Sequence, residues 1–246
     1  MDEGRLLEIL REACHAVRGA LDDLDDWGPA GTRPGQYRLD LAADAAALSV
    51  LHGAGLAVLS EESGLTGPAG SPLLAVVDPV DGSTNAHRGI PFFSTSICVL
   101  DAAGPLVGCV VNQATGTAYD AVRGRGARRD GEPIAPSACT ALGQAIVGIS
   151  GFPGHHPGWA QYRALGAASL EFCAVAEGLL DAYMVVGRST LYGWDYLAGL
   201  LVCTEAGAVC KDRDGADPVV RDDTPRRPVV AGTAALRDRL CEEEKL

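Results

Sequence analysis

The sequence predicts a layered α/β fold, and three observations carry that prediction. Segments with apolar residues at helical spacing and short β-prone runs occur in both halves of the 246 residues. Two apolar runs end abruptly in carboxylates, as strands do at the ligand-binding edge of open α/β sheets. Between residues 93 and 133, β-prone stretches follow one another with turn residues between them, the pattern of an antiparallel meander.

The elements follow in order. Leu6, Leu10, Cys14, Val17, Leu21 and Leu24 recur at helical spacing, so residues 5–24 read as an amphipathic helix. Gly and Pro make 27–37 a loop. An Ala- and Leu-rich helix runs from about Asp40 to Leu51, stopped by Gly53 and Gly55. Ala57–Ser60 and Leu73–Val77 are apolar strands. The meander strands are 94–100, 106–111 and 117–122. Pro133 and Pro136 mark a boundary, giving lobes of 1–137 and 138–246. Beyond it lie a strand at 145–149, a helix at 169–177, a strand at 182–186, and a helix from Asp195 that Gly207 caps.

Composition narrows the function classes. Lys and Arg number 20 against 32 Asp and Glu, a net charge of −12. General nucleic-acid affinity needs clustered cations and is not expected. The acidity serves solubility, or it conceals a carboxylate cluster that holds metal. The acidic start resembles no secretory signal, and no apolar run approaches the ~20 residues of a membrane span. The eight cysteines form no C-x-x-C pair and most sit in apolar segments, which fits reduced thiols and a cytoplasmic protein. The run Glu242-Glu243-Glu244 reads as solvated surface.

The chemistry concentrates at the two strand ends. The first gives Ser60-Glu61-Glu62-Ser63, the second Asp78-Pro79-Val80-Asp81-Gly82-Ser83-Thr84-Asn85. Asp78 and Asp81, three apart around a proline, read as a turn that aims both carboxylates at one point. Crowded carboxylates repel unless protonated or metal-bound, and all-oxygen ligands favour a hard cation such as Mg²⁺. A helix starting at Gly82-Ser83-Thr84 would offer free N–H groups to an anion. Alone, the same residues are a turn with Ser83 as helix cap. Asp195, in Trp194-Asp195-Tyr196-Leu197-Ala198-Gly199, alone reads as a helix N-cap. Asp44, inside the second helix, is either exposed or buried with a partner.

Taken together, Glu61-Glu62-Ser63, Asp78 to Asn85 and Trp194 to Gly199 resemble the inositol monophosphatase family of metal-dependent phosphatases. The Gly108–Gly131 stretch, Gly166-Ala167-Ala168 and Asp181-Ala182-Tyr183 extend the resemblance over about 5–240. It implies an αβαβα sandwich of two lobes with the site between them. It implies two or three Mg²⁺ ions: Glu61, Asp78 and the Val80 carbonyl for the first, Asp78, Asp81 and Asp195 for the second, a weaker third near Glu61. It puts phosphate on the Gly82, Ser83 and Thr84 amides. It makes Asp44 the helix aspartate that pairs with Ser83 to orient water, with Glu61 also catalytic. It implies substrate contacts from Asp81, Gly166, Ala167, Ala168 and Asp195. It further implies lithium sensitivity and a homodimer.

Three departures stand out. Ser83 replaces the usual Thr and keeps the hydroxyl. Where inositol-specific members carry an acidic residue for ring hydroxyls, this chain has Val185, which accepts no hydrogen bond. The 187–193 loop looks longer than usual and carries Arg188, which could meet a second anionic group. The expected activity is hydrolysis of a small polyol or sugar phosphate, inositol 1-phosphate by default. Alternatives are adenosine 3′,5′-bisphosphate, fructose 1,6-bisphosphate or histidinol phosphate as substrate, or a catalytically silent relative.

Overall fold

The computed structural model describes residues 1–33 and 35–243. Glu244, the end of the acidic run, lies outside them. In chain order the elements are α1 (Glu3–Asp22), α2 (Arg38–Gly53), β1 (Ala57–Ser60), β2 (Gly64–Thr66), β3 (Leu74–Asp81) and α3 (Ser83–Arg88). The meander follows as β4 (Ser94–Asp101), β5 (Gly104–Asn112), β6 (Ala118–Val122), β7 (Ala127–Arg129) and β8 (Glu132–Pro133). The remainder is β9 (Ile146–Ser150), β10 (Gln161–Arg163), α4 (Ala168–Ala176), β11 (Ala182–Val185), α5 (Gly193–Ala206), β12 (Val209–Asp212), β13 (Pro228–Ala231) and α6 (Ala234–Glu243).

Among the described residues the strands form two sheets, ordered β2-β1-β3-β4-β5-β6-β7-β8 and β10-β9-β11-β13-β12. Alternating side chains then dictate the layers. On β3 and β4, Ala75, Val77, Ile97 and Val99 face α1 and α2. Their neighbours Leu74, Val76, Cys98 and Leu100 face α4 and α5. The second sheet repeats this: Tyr183, Val185 and Val230 face α4 and α5, whereas Met184, Val229 and Ala231 meet Leu236 and Leu240 of α6. The order is therefore helix, sheet, helix, sheet, helix, the αβαβα sandwich. All nine residues of α4 are buried, as a helix covered on both sides requires.

Most sequence-read elements stand within two or three residues. β2, β7, β8 and β10 were not anticipated, being too short to show a period, and β12, β13 and α6 were also missed; α3 starts at Ser83, where the sequence allowed a helix. Asp78 and Asp81 lie inside β3 rather than in a turn, because β3 continues its pairing with β4 through a bulge. Among the described residues, no helix is long and apolar enough to cross a membrane. The eight cysteines are all free thiols.

Candidate active site

The site begins with strand direction. β1 and β3 pair in parallel, Ser60 beside Val77, so both chains leave the sheet at the same edge. Glu61 and Asp78 are the next residues on each, and the Glu61 N–H donates to the Val77 carbonyl at 3.1 Å. Asp78 opposes Ser96 and Asp81 opposes Ser94, so three steps along β3 match two along β4. That extra residue is a β-bulge, and it returns Asp81 to the face of Asp78, toward the middle helices.

Those helices close the cluster. The Tyr192 N–H donates to the Asp195 carboxylate at 2.6 Å, fixing Asp195 in the first turn of α5. One carboxylate oxygen each from Glu61, Asp78 and Asp195 lies within 4.8 Å of the others. Asp81 turns instead to the start of α4. It accepts the Ala168 N–H at 3.2 Å, the Ser169 N–H at 2.7 Å and the Ser169 hydroxyl at 2.6 Å. Ser94 and Ser169 share a further hydrogen bond of 2.8 Å, joining the first sheet to the middle layer.

The electrostatics are those of a site that needs a cation. Burial, then the Glu61, Asp81 and Asp195 charges, hold the Asp78 carboxyl well above the usual range. Burial and the Asp81 charge do the same to Asp195. Burial and Glu62 raise Glu61 to about 7. Burial also lifts Asp81 to about 6 against its hydrogen bonds. Asp78 Oδ1 is buried without a hydrogen-bond partner. A buried carboxylate with an orphaned oxygen, grouped with two further carboxylates, is a set of oxygen donors that could hold a hard cation.

Gly82 makes the turn out of β3 possible. Its φ is +86°, and a Cβ there would meet the Gly166 carbonyl at 3.0 Å and the Ala167 methyl at 3.1 Å. The Asn85 amide ties the same surfaces, donating to Phe92 O at 2.8 Å and Leu165 O at 2.7 Å. Ser83 and Thr84 then open α3 at the mouth of the cluster.

The helix aspartate needs correction. The structure places Asp40, not Asp44, at the Ser83 cavity, where the Ser83 hydroxyl is among the groups that lower its carboxyl against burial. Asp40 sits in the first turn of α2, where it accepts the Tyr37 N–H at 2.8 Å, and burial lifts its carboxyl to about 6. Asp44 lies one turn further and accepts the Ser60 hydroxyl at 2.5 Å. Ser60 in turn receives the Glu62 N–H at 3.2 Å, so Asp44 braces the turn that presents Glu61. The repeated spacing Tyr37…Asp40 and Tyr192…Asp195 was the signal that could have found Asp40.

A cavity of about 540 Å³ opens here, lined by Arg33, Gln36, Asp40, Glu61, Glu62 and Ser83 of the N-terminal half and by Tyr192, Trp194 and Asp223 of the C-terminal half. Glu62 is held by Arg33 at 2.7 Å and by Gln36. The sequence-read substrate contacts fare differently. Ala167, Ala168 and Val185 are buried, their side chains committed to the middle core, so direct side-chain contact is corrected. Gly166 is exposed behind Gly82, and Arg188 is exposed but does not line this cavity. Val80 is buried beside the cluster.

Comparisons with known proteins agree with this architecture. The "fructose-1,6-bisphosphatase/inositol-1-monophosphatase" of Archaeoglobus fulgidus is 31% identical, over 98% of this chain and 99% of its own length. The chloroplastic phosphatase IMPL1 of Arabidopsis thaliana is 32% identical over 75% of this chain, which spans 53% of that longer protein. The solved inositol monophosphatase of Anabaena superposes with a TM-score of 0.81 at 25% identity, covering 98% of this chain and 95% of that one. The family model described as "Inositol monophosphatase family" matches residues 38–245, from the first residue of α2 past the end of α6. On that match the chain belongs to the inositol monophosphatase family.

Proposed function

We propose that the chain is a Mg²⁺-dependent phosphomonoesterase for a small polyol or sugar phosphate, with inositol 1-phosphate as default substrate. The observation that carries this reading is the convergence of Glu61, Asp78 and Asp195 around an orphaned buried carboxylate oxygen. Glu61, Asp78, Asp195 and the Val80 carbonyl would hold the ions, with Asp81 beside them. Bound Mg²⁺ supplies water acidified to react near neutral pH and positive charge against the phosphoryl oxygens.

The chain's own groups do the rest. Ser83 and Asp40 line the cavity together; a Ser83 hydroxyl that donates to Asp40 has its oxygen free to accept a hydrogen from the attacking water. The proton therefore has a path from water to Ser83 Oγ and on to Asp40. The first N–H groups of α3, on Ser83 and Thr84, have no intrahelical acceptor and meet phosphate oxygens. Asp81 orients the start of α4 and the back of the turn.

Two experiments follow. Phosphate release from inositol 1-phosphate, fructose 1,6-bisphosphate, adenosine 3′,5′-bisphosphate and histidinol phosphate, with Mg²⁺ and after chelation, is expected to show metal-dependent turnover. Metal binding with no release from any of the four esters would defeat the reading. Second, Asp40→Asn lowers kcat by about 10²-fold, the scale of a lost general acid–base group. Asp44→Asn acts one step away and lowers it less. Equal losses in the two variants would remove Asp40 from the proton path.

A further inference from the structure

Part of the cavity lining comes from two stretches that the sequence keeps more than 30 residues apart. Leu191 and Arg226 exchange both backbone hydrogen bonds, at 2.9 and 2.7 Å. The Arg227 guanidinium adds a bond to the Gly187 carbonyl at 2.5 Å. This pairing brings the loops of Tyr192 and Asp223 together, and both residues line the cavity along with Glu61 and Ser83. Tyr192 is 39% exposed and stacks on Trp194, with ring centroids 4.9 Å apart and planes 18° from parallel. Both stacked rings line the cavity.

The other carboxylates of the cavity have duties already. Glu61 belongs to the cluster, Asp40 takes the Tyr37 N–H, and Glu62 takes Arg33 and Gln36. Val185 is fully buried and offers no acceptor. Asp223 is exposed and lines the same cavity as Glu61 and Ser83.

We propose that Tyr192 and Asp223 form the subsite for the leaving group, and that it takes a polyhydroxylated ring. An ionised carboxylate only accepts hydrogen bonds and so matches a pair of hydroxyl donors. A rigid aromatic face matches the C–H face of such a ring. Asp223 thereby supplies from another loop the hydroxyl acceptor that Val185 cannot. This inference rests on the phosphatase reading, with a test that separates the two.

The test compares kcat/KM on inositol 1-phosphate with that on 4-nitrophenyl phosphate, whose leaving group has no ring hydroxyl. In Mg²⁺, Asp223→Ala and Asp223→Asn are expected to lose about tenfold more on the inositol ester, the scale of one hydrogen bond to a charged group. Tyr192→Ala raises KM for inositol 1-phosphate about fivefold, and Tyr192→Phe restores it. Equal losses on the two esters, or no loss on either, overturn the subsite. So does a wild-type enzyme that hydrolyses 4-nitrophenyl phosphate and no polyol phosphate. A folded wild-type protein that hydrolyses neither ester overturns the phosphatase reading itself.

Discussion

Asp78→Asn is expected to abolish turnover while making the metal-free protein more stable. Asp78 is the residue from which the triad is built: it is 2% exposed, one of its oxygens has no partner, and its neighbours are Glu61 and Asp195. Asparagine keeps the shape and removes the charge. A metal ion contributes several kcal/mol to the transition state of phosphoryl transfer, and about 1.4 kcal/mol is tenfold in rate. Loss of a shared ligand therefore lowers kcat by roughly 10³-fold or more. Without metal the same change relieves the burial of a carboxylate among like charges. Each kcal/mol relieved raises the melting temperature by about 2–4 °C for a chain of this size. Phosphate release and thermal unfolding, each with and without Mg²⁺, test both halves. A variant with near-normal turnover, or a metal-free form less stable than the wild type, contradicts the assignment.

The stability of the metal-free protein is expected to fall as pH rises from about 4 to about 8. Burial raises Asp40 and Asp81 to about 6, Glu61 to about 7 and Glu171 to about 8. For each, the folded protein keeps a proton that the unfolded chain releases near pH 4. The native state then binds more protons than the unfolded state, and linkage makes stability fall by about 1.4 kcal/mol per pH unit for each extra proton. Below about pH 4 and above about pH 8 these groups contribute no slope. Mg²⁺ competes with protons for the cluster, so its stabilising effect is small at pH 5 and grows toward pH 8. Glu171 lies outside the cluster, fully buried in α4, and its share of the slope persists with metal present. Urea unfolding at pH 5, 6, 7 and 8, with and without Mg²⁺, measures this. A flat profile without metal would show that the carboxylates are not held protonated.

Much of this site was legible in the sequence because its ligands are tied to strand ends. Glu61 follows β1 and Asp78 sits within β3, and the apolar runs that define those strands are local signals. Asp195 was visible from the apolar helix behind it. Asp40 and Asp44 were not separable by period, since residues four apart share one face of a helix, and here both are buried. What separates them is where the helix starts relative to Ser83, a fact of tertiary placement. The burial of Val185 arises because β11 is flanked by β9 and β13 and covered by α4 and α5. The wall of Tyr192 and Asp223 depends on a two-residue bridge between loops, which leaves no trace in composition or spacing.

The clasp between Asp81 and the start of α4 also bears on how the chain reaches its active form. Its hydrogen bonds join residues 87 and 88 positions apart. Contacts that close so long a loop carry a large entropic cost and form after local ones in folding. The β1–β3 edge with Glu61 and Asp78 can assemble early, from residues close in sequence. Asp81 stands on the same strand, but its α4 partners, and Asp195, join it only once the middle helices have docked between the sheets. A nascent chain emerging from the ribosome therefore carries Glu61, Asp78 and Asp81 more than a hundred residues before Asp195 is made. Competence arrives late and in one step, when the last layers close over the first.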